Sequence, residues 1–171
     1  MRLWLLRHAK SSWGDPALAD AERPLSRRGA SAAALMRDYL AAEKIRPELV
    51  LCSSALRTRE TLGHILPALG TELVLRIDPA LYGADAARLL EILRGNGSDV
   101  ASIMLVGHNP AIQELALALA ARGERLEELD AKFPTGALAE IELPQDGWAA
   151  IAEGSGELSR FVTPRQLETV G

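Results

Sequence analysis

A single cysteine, Cys52, stands among the 171 residues, which excludes a disulfide framework within the chain. It sits in the apolar run "LVLCSS" and reads as a small buried hydrophobe. A basic excess is also lacking: 19 Lys and Arg against 23 Asp and Glu give a formal net charge of −4. Nucleic-acid binders usually carry such an excess, so a nucleic-acid partner is not expected. Any anion site must be a local basic cluster and not a global field. No stretch approaches the ~20 apolar residues of a membrane span. The apolar run at residues 3–6 is too short for the core of a signal peptide and is followed by charges. A cytoplasmic protein with no membrane partner is expected. Internal repeats and low-complexity segments are missing too. The length suits one domain, residues 1–171, with a sizeable core.

What is present is an alternation of short β-like runs and longer helical ones. Strands are predicted at 3–6, 48–53, 72–77 and 102–107, and helices at 25–44, 55–69, 86–94 and 109–121. Ser26, Asp85 and Asn109 stand at helix N-cap positions, and Pro110 suits the first helical turn. Gly29 costs a little helix stability near a helix start. The polar stretch 9–24, with Gly14, Pro16 and Pro24, reads as a long loop, and "GNGSD" as a turn. Residues 137–143 and 147–162 read as antiparallel strands, and the last few residues as a loose tail. The pattern points to an α/β sandwich with a mostly parallel sheet and an antiparallel addition at one edge.

Ligands of such folds bind outside the carboxyl ends of the parallel strands. The first strand ends in "LWLLRHAK", placing Arg7 and His8 at its tip. The second leads into "SSALRTRE", with Arg57 in the first turn of the next helix. The fourth leads into "VGHNP", with His108 just before a helix. His64, inside a helix, has no such placement and reads as structural. Each residue alone carries little information. Two arginines and two histidines from three junctions at one sheet end carry more.

Two guanidinium groups at one point repel a divalent cation, so no metal site is expected there. They suit a phosphate or carboxylate, which guanidinium binds bidentately. Helix N-termini after Ser53 and Ser54 and after Asn109 add amide donors and a favourable dipole. No GxxxxGK[ST] loop is present, which excludes a P-loop nucleotide site. A histidine in a phosphate pocket either donates a hydrogen bond as imidazolium or attacks phosphorus as neutral imidazole. Neighbouring guanidinium groups favour the neutral form, leaving His8 a free nucleophile near neutral pH.

"LLRHAKSSW", "SSALRTRETL" and "VGHNP" resemble the motifs of the histidine phosphatase, or phosphoglycerate mutase-like, superfamily. The short length and "ERPLSRRG" resemble its small SixA-type phosphohistidine phosphatases. The likeness runs from residue 1 to about residue 140. It implies a three-layer α/β/α sandwich with a mostly parallel mixed sheet. It implies that His8 becomes phosphohistidine, that Arg7, Arg57 and His108 form the phosphate pocket, and that Arg23 binds substrate beside it. Neither metal nor organic cofactor is implied. The usual RHG triplet is RHA here, so Ala9 stands where glycine is usual.

Larger members present an acid in the loop after the third strand to protonate an alcohol leaving group. Asp85, in "LYGAD", is the candidate here, and its place before a helix favours the capping reading. A site without a strong acid suits a phosphoramidate, whose ring nitrogen is protonated from solvent. The leading expectation is thus a phosphatase acting on phosphohistidine in a protein. A small phosphorylated metabolite as substrate is the alternative within the enzyme class. A non-catalytic phosphate- or phosphoprotein-binding module is the alternative outside it, against which the intact His8 argues.

Overall fold

A computed structural model describes residues 1–96 and 99–168. Part of the turn expected at "GNGSD" (97–98) and the end of the expected tail (169–171) lie outside the described residues. The strands are β1 (Arg2–Arg7), β2 (Leu49–Ser53), β3 (Val74–Asp78), β4 (Ser102–Gly107), β5 (Ala120–Arg122), β6 (Leu138–Glu142) and β7 (Gly156–Val162). The helices are α1 (Arg27–Ala42), α2 (Leu56–Ile65), α3 (Ala86–Asn96), α4 (Ala111–Leu119), α5 (Leu126–Ala131) and α6 (Pro164–Leu167).

All seven strands join one sheet in the order β3-β2-β4-β1-β6-β7-β5. The first four strands run parallel, β6 runs antiparallel to both β1 and β7, and β5 is parallel to β7. β1, β2 and β4 are apolar along their length because both faces are covered. Their alternation divides the core. Leu3 and Leu5 pack with Leu89 and Leu93 of α3 and Ile112 and Leu115 of α4. Trp4 and Leu6 pack with Met36 and Leu40 of α1 and Leu62 and Ile65 of α2. Two cores on one sheet make the expected three-layer α/β/α sandwich.

Two expected caps form: the Ser26 hydroxyl accepts from the Gly29 amide at 3.1 Å, and the Asp85 carboxylate accepts from the Arg88 amide at 2.8 Å. Gly29 does more than weaken a helix. A Cβ there would sit 2.1 Å from the Lys10 carbonyl oxygen, so glycine lets α1 start against the backbone that follows His8. Three expectations need correction. Pro110, not Asn109, occupies the N-cap of α4. The Asn109 amide instead donates to Gln113 Oε1 at 3.0 Å and to the Phe133 carbonyl at 3.3 Å. The helix expected over 109–121 ends at Leu119, where Ala120 turns into the edge strand β5. Only 156–162 of the stretch 147–162 is strand. Before it, Trp148 buries its ring in a 3-10 turn and donates its indole N–H to the Val100 carbonyl at 2.7 Å. Finally, α5 is unforeseen: Leu129 is its one buried residue, so it shows no apolar stripe.

Candidate active site

The parallel register of β1 and β4 sets Arg7 opposite Gly107. The His8 amide continues the ladder, donating to the Gly107 carbonyl at 3.0 Å. His8 and His108 therefore emerge side by side, with ring centroids 5.2 Å apart. The Gly136 amide donates to both the Arg7 and His8 carbonyls, at 3.1 and 3.0 Å. Its φ of 77° lies in the left-handed region that glycine adopts without strain. The Ala9 amide donates to Thr61 Oγ1 at 3.0 Å, and Thr61 in turn donates to the Arg57 carbonyl at 2.7 Å. The His8 segment is thus pinned to α2.

Two contacts define the ring tautomers. His8 Nδ1 lies 2.7 Å from the Ala9 carbonyl oxygen. A carbonyl only accepts, so Nδ1 carries the proton and Nε2 keeps its lone pair. Arg57 Nη2 lies 3.4 Å from His108 Nδ1. A guanidinium only donates, so Nδ1 accepts, and His108 Nε2–H donates to Ser53 Oγ at 2.7 Å. Burial pushes the His8 imidazole down to about 4, helped by the positive Arg57, Arg7 and Arg23, although the Ala9 carbonyl works the other way. Burial, His8 and Arg57 push His108 down to about 3. Both rings are neutral at pH 7.

Three guanidinium groups surround them. Arg7 Nη1 donates to the Phe133 carbonyl at 2.7 Å. Arg57, 6% exposed, donates Nη1 to the Asp20 carbonyl at 2.6 Å and Nη2 to Asp20 Oδ2 at 3.0 Å. Arg23 pairs with Asp20 Oδ1 through Nε at 3.1 Å and Nη2 at 2.8 Å. Its guanidinium also stacks 3.5 Å from the Trp13 ring. Each group keeps a buried nitrogen with no partner: Arg7 Nε, Arg23 Nη1 and Arg57 Nε. Buried donors normally find acceptors, and the concentration of guanidinium charge on one cavity suits an anion. Arg7, His8, Arg23, Arg57 and His108 all line one cavity of about 1080 Å³, whose wall also carries Lys10, Arg28, Lys132 and Arg165, with Glu128 and Glu168 among them. Among the described residues, no group of three or more His, Cys, Asp or Glu side chains is placed to hold a metal ion. No helix among them is long and apolar enough to cross a membrane.

The sequence profile of the Histidine phosphatase superfamily (branch 1) matches residues 3–87. The SixA protein of Agrobacterium tumefaciens superposes with a TM-score of 0.79 at 30% identity, covering 95% of this chain and 97% of that one. The chain belongs to the histidine phosphatase superfamily. Among curated relatives, an uncharacterised protein of Mycobacterium tuberculosis is 36% identical over 94% of this chain and all of its own length. The phosphohistidine phosphatase SixA of Escherichia coli is 29% identical over 86% of this chain and 88% of its own.

For a histidine phosphatase, the placement of the five residues singled out in the sequence is compact. Arg7, His8, Arg57, His108 and Arg23 all reach the same cavity. Asp85 caps α3 through the Arg88 amide and does not line that cavity. His64 sits in the last turn of α2. Sequence reasoning missed Asp20, which holds two of the three arginines, and Tyr82, which donates to Asp20 Oδ2 at 2.8 Å. It also missed Ser53 and Thr61. The one available signal for Asp20 is its three-residue spacing from Arg23, in a loop where such spacing carries no periodicity.

Proposed function

We propose that residues 1–171 form one cytoplasmic histidine phosphatase domain that removes phosphate from phosphohistidine in proteins, through a phosphorylated His8. One observation carries the reading. His8 Nε2 holds a lone pair, because Nδ1–H is committed to the Ala9 carbonyl, and it stands among three guanidinium groups with unpaired buried nitrogens. The lone pair attacks phosphorus while Arg7, Arg23 and Arg57 take the phosphoryl oxygens. As the Nε2–P bond forms, the bond to the leaving group breaks and its electron pair departs with that group. Water then attacks phospho-His8, phosphate leaves, and Nε2 recovers its lone pair. The proton released by water passes to solvent.

The leaving group selects the substrate class. The Asp85 carboxylate accepts from the Arg88 amide at 2.8 Å. Asp20 is held ionised, at about 2, by Tyr82, Arg57 and Arg23. Neither carboxyl supplies the proton an alkoxide needs, a contribution typically worth ~10²–10⁴ in rate. A phosphohistidine nitrogen takes its proton from water. The wide, basic cavity accommodates a side chain still attached to its protein, and the E. coli relative is a phosphohistidine phosphatase. The test compares turnover of a phosphohistidine peptide, an aryl phosphate and a panel of sugar phosphates on one sample. The peptide should lead and the sugar phosphates trail. Preferred turnover of a sugar phosphate would make the protein a small-molecule phosphomonoesterase. Phosphate binding without turnover of any of them would make it a binding module.

A further inference from the structure

Asp20 lies in the loop between β1 and α1, outside the motifs at the strand tips, and it is the hub of the arginine cluster. Its backbone carbonyl accepts from Arg57 Nη1 at 2.6 Å and its Oδ2 from Arg57 Nη2 at 3.0 Å. Its Oδ1 accepts the Nε and Nη2 edge of Arg23, at 3.1 and 2.8 Å. Tyr82, from the segment after β3, donates to Oδ2 at 2.8 Å and packs its ring nearly perpendicular to that of His108, with centroids 5.7 Å apart. Both arginines line the cavity, whereas Asp20 and Tyr82 do not.

We propose that Asp20 is a positioning residue, gripping Arg57 and Arg23 from outside the cavity and so fixing the two guanidinium groups that line it. The proposal rests on the reading of this cavity as the phosphate site. The geometry makes Asp20 a support and not a competing anion. It holds both terminal nitrogens of Arg57 and one edge of Arg23 without itself lining the cavity that both arginines line. Three guanidinium charges packed together repel one another, and a carboxylate between two of them offsets that repulsion. Arginines already fixed lose little side-chain freedom when the anion arrives. Through Tyr82, the same carboxylate ties the loop before α1 to His108.

The experiment uses the 171-residue wild type, Asp20→Ala, Asp20→Asn and Tyr82→Phe. It reads kcat and KM for an aryl phosphate and for a phosphohistidine peptide, the dissociation constant of inorganic phosphate, and Tm. Misplacing two donors should lower kcat for Asp20→Ala on the order of 10²-fold and weaken phosphate binding. Because Asp20 acts on the phosphoryl group and not on the leaving group, both substrates should lose by the same factor. Asp20→Asn, which keeps one acceptor oxygen, should fall between wild type and Asp20→Ala, and Tyr82→Phe should lose least. Asp20→Ala leaves the buried Arg57 short of an acceptor and the guanidinium repulsion unrelieved, so Tm should fall, and kcat is read well below the Tm of each variant. Should Asp20→Ala fail to fold, Asp20→Asn carries the same test. Unchanged kcat in a folded variant would overturn the proposal. So would tighter phosphate binding with kcat kept or raised, which would make Asp20 a competing anion. A wild type that neither binds phosphate nor turns over substrate would instead overturn the reading of the cavity.

Discussion

Lowering the pH tests the state of His8 directly. An ordinary imidazole titrates near 6.5 and at about pH 5.5 is about 90% protonated. Burial, with Arg57, Arg7 and Arg23 adding to it, sets His8 at about 4, so at about pH 5.5 only about 3% should carry the second proton. The difference corresponds to about 3 kcal/mol between the folded and unfolded environments of the ring. Between about 6.5 and 4 the unfolded chain holds more protons at this residue than the folded one. Stability is therefore full above the unfolded value and is lost as the pH falls through that window. His108, at about 3, acts in the same direction.

Nitrogen-resolved NMR of the imidazoles is the assay, because it is independent of substrate ionisation. The chain has three histidines, which single His→Gln variants assign. The free protein should show His8 with its proton on Nδ1 and an unprotonated Nε2 at about pH 5.5. Arg57→Ala removes a positive neighbour and should raise the His8 midpoint. Saturating inorganic phosphate places negative charge beside the ring and should also raise it. A midpoint at or above about 6 in the free wild type, or a proton on Nε2, would refute the reasoning.

Other outcomes follow from the same geometry. Arg7→Ala and Arg57→Ala should each cost ~10²–10³ in kcat with the fold retained, as read by circular dichroism; near-normal turnover would remove that arginine from the mechanism. Asp85→Asn keeps an acceptor for the Arg88 amide and should change neither Tm nor rate, whatever the leaving group; a loss confined to alkyl phosphates would make Asp85 the acid. Gly29→Ala forces a Cβ to within 2.1 Å of the Lys10 carbonyl oxygen and should lower Tm by roughly 5–10 °C. An unchanged Tm there would show that α1 can move away from Lys10.

The readable parts of the chain are those where local chemistry and topology coincide. "LWLLRHAK" shows a doubly buried strand and its polar tip in one glance, because a parallel strand covered on both faces is a continuous apolar run. The same holds for "SIMLVGHNP". Parallel strands in neighbouring positions then bring their tips together without further information. Asp20 is hidden because its partners Arg57 and Tyr82 stand 37 and 62 residues away, and nothing local marks a loop carboxylate as their hub. Asn109 is misread because its amide is drawn to Gln113 and the Phe133 carbonyl, a tertiary competition that a capping preference cannot register. The 3-10 turn at Trp148 is misread for a related reason: the indole needs a buried acceptor, and its backbone follows. α5 has no apolar stripe to announce it.

The central claim is a covalent bond between phosphorus and His8 Nε2, and trapping it is the most direct measurement. The protein would be mixed with an excess of phosphohistidine peptide, quenched in alkali within the first turnovers, digested, and analysed by mass spectrometry. The peptide containing His8 should carry one phosphoryl group, labile in acid and stable in base, that forms and decays at least as fast as turnover. His8→Ala should show neither the adduct nor release of phosphate. Steady turnover with no phosphoryl group on His8, or turnover that survives His8→Ala, would contradict the account.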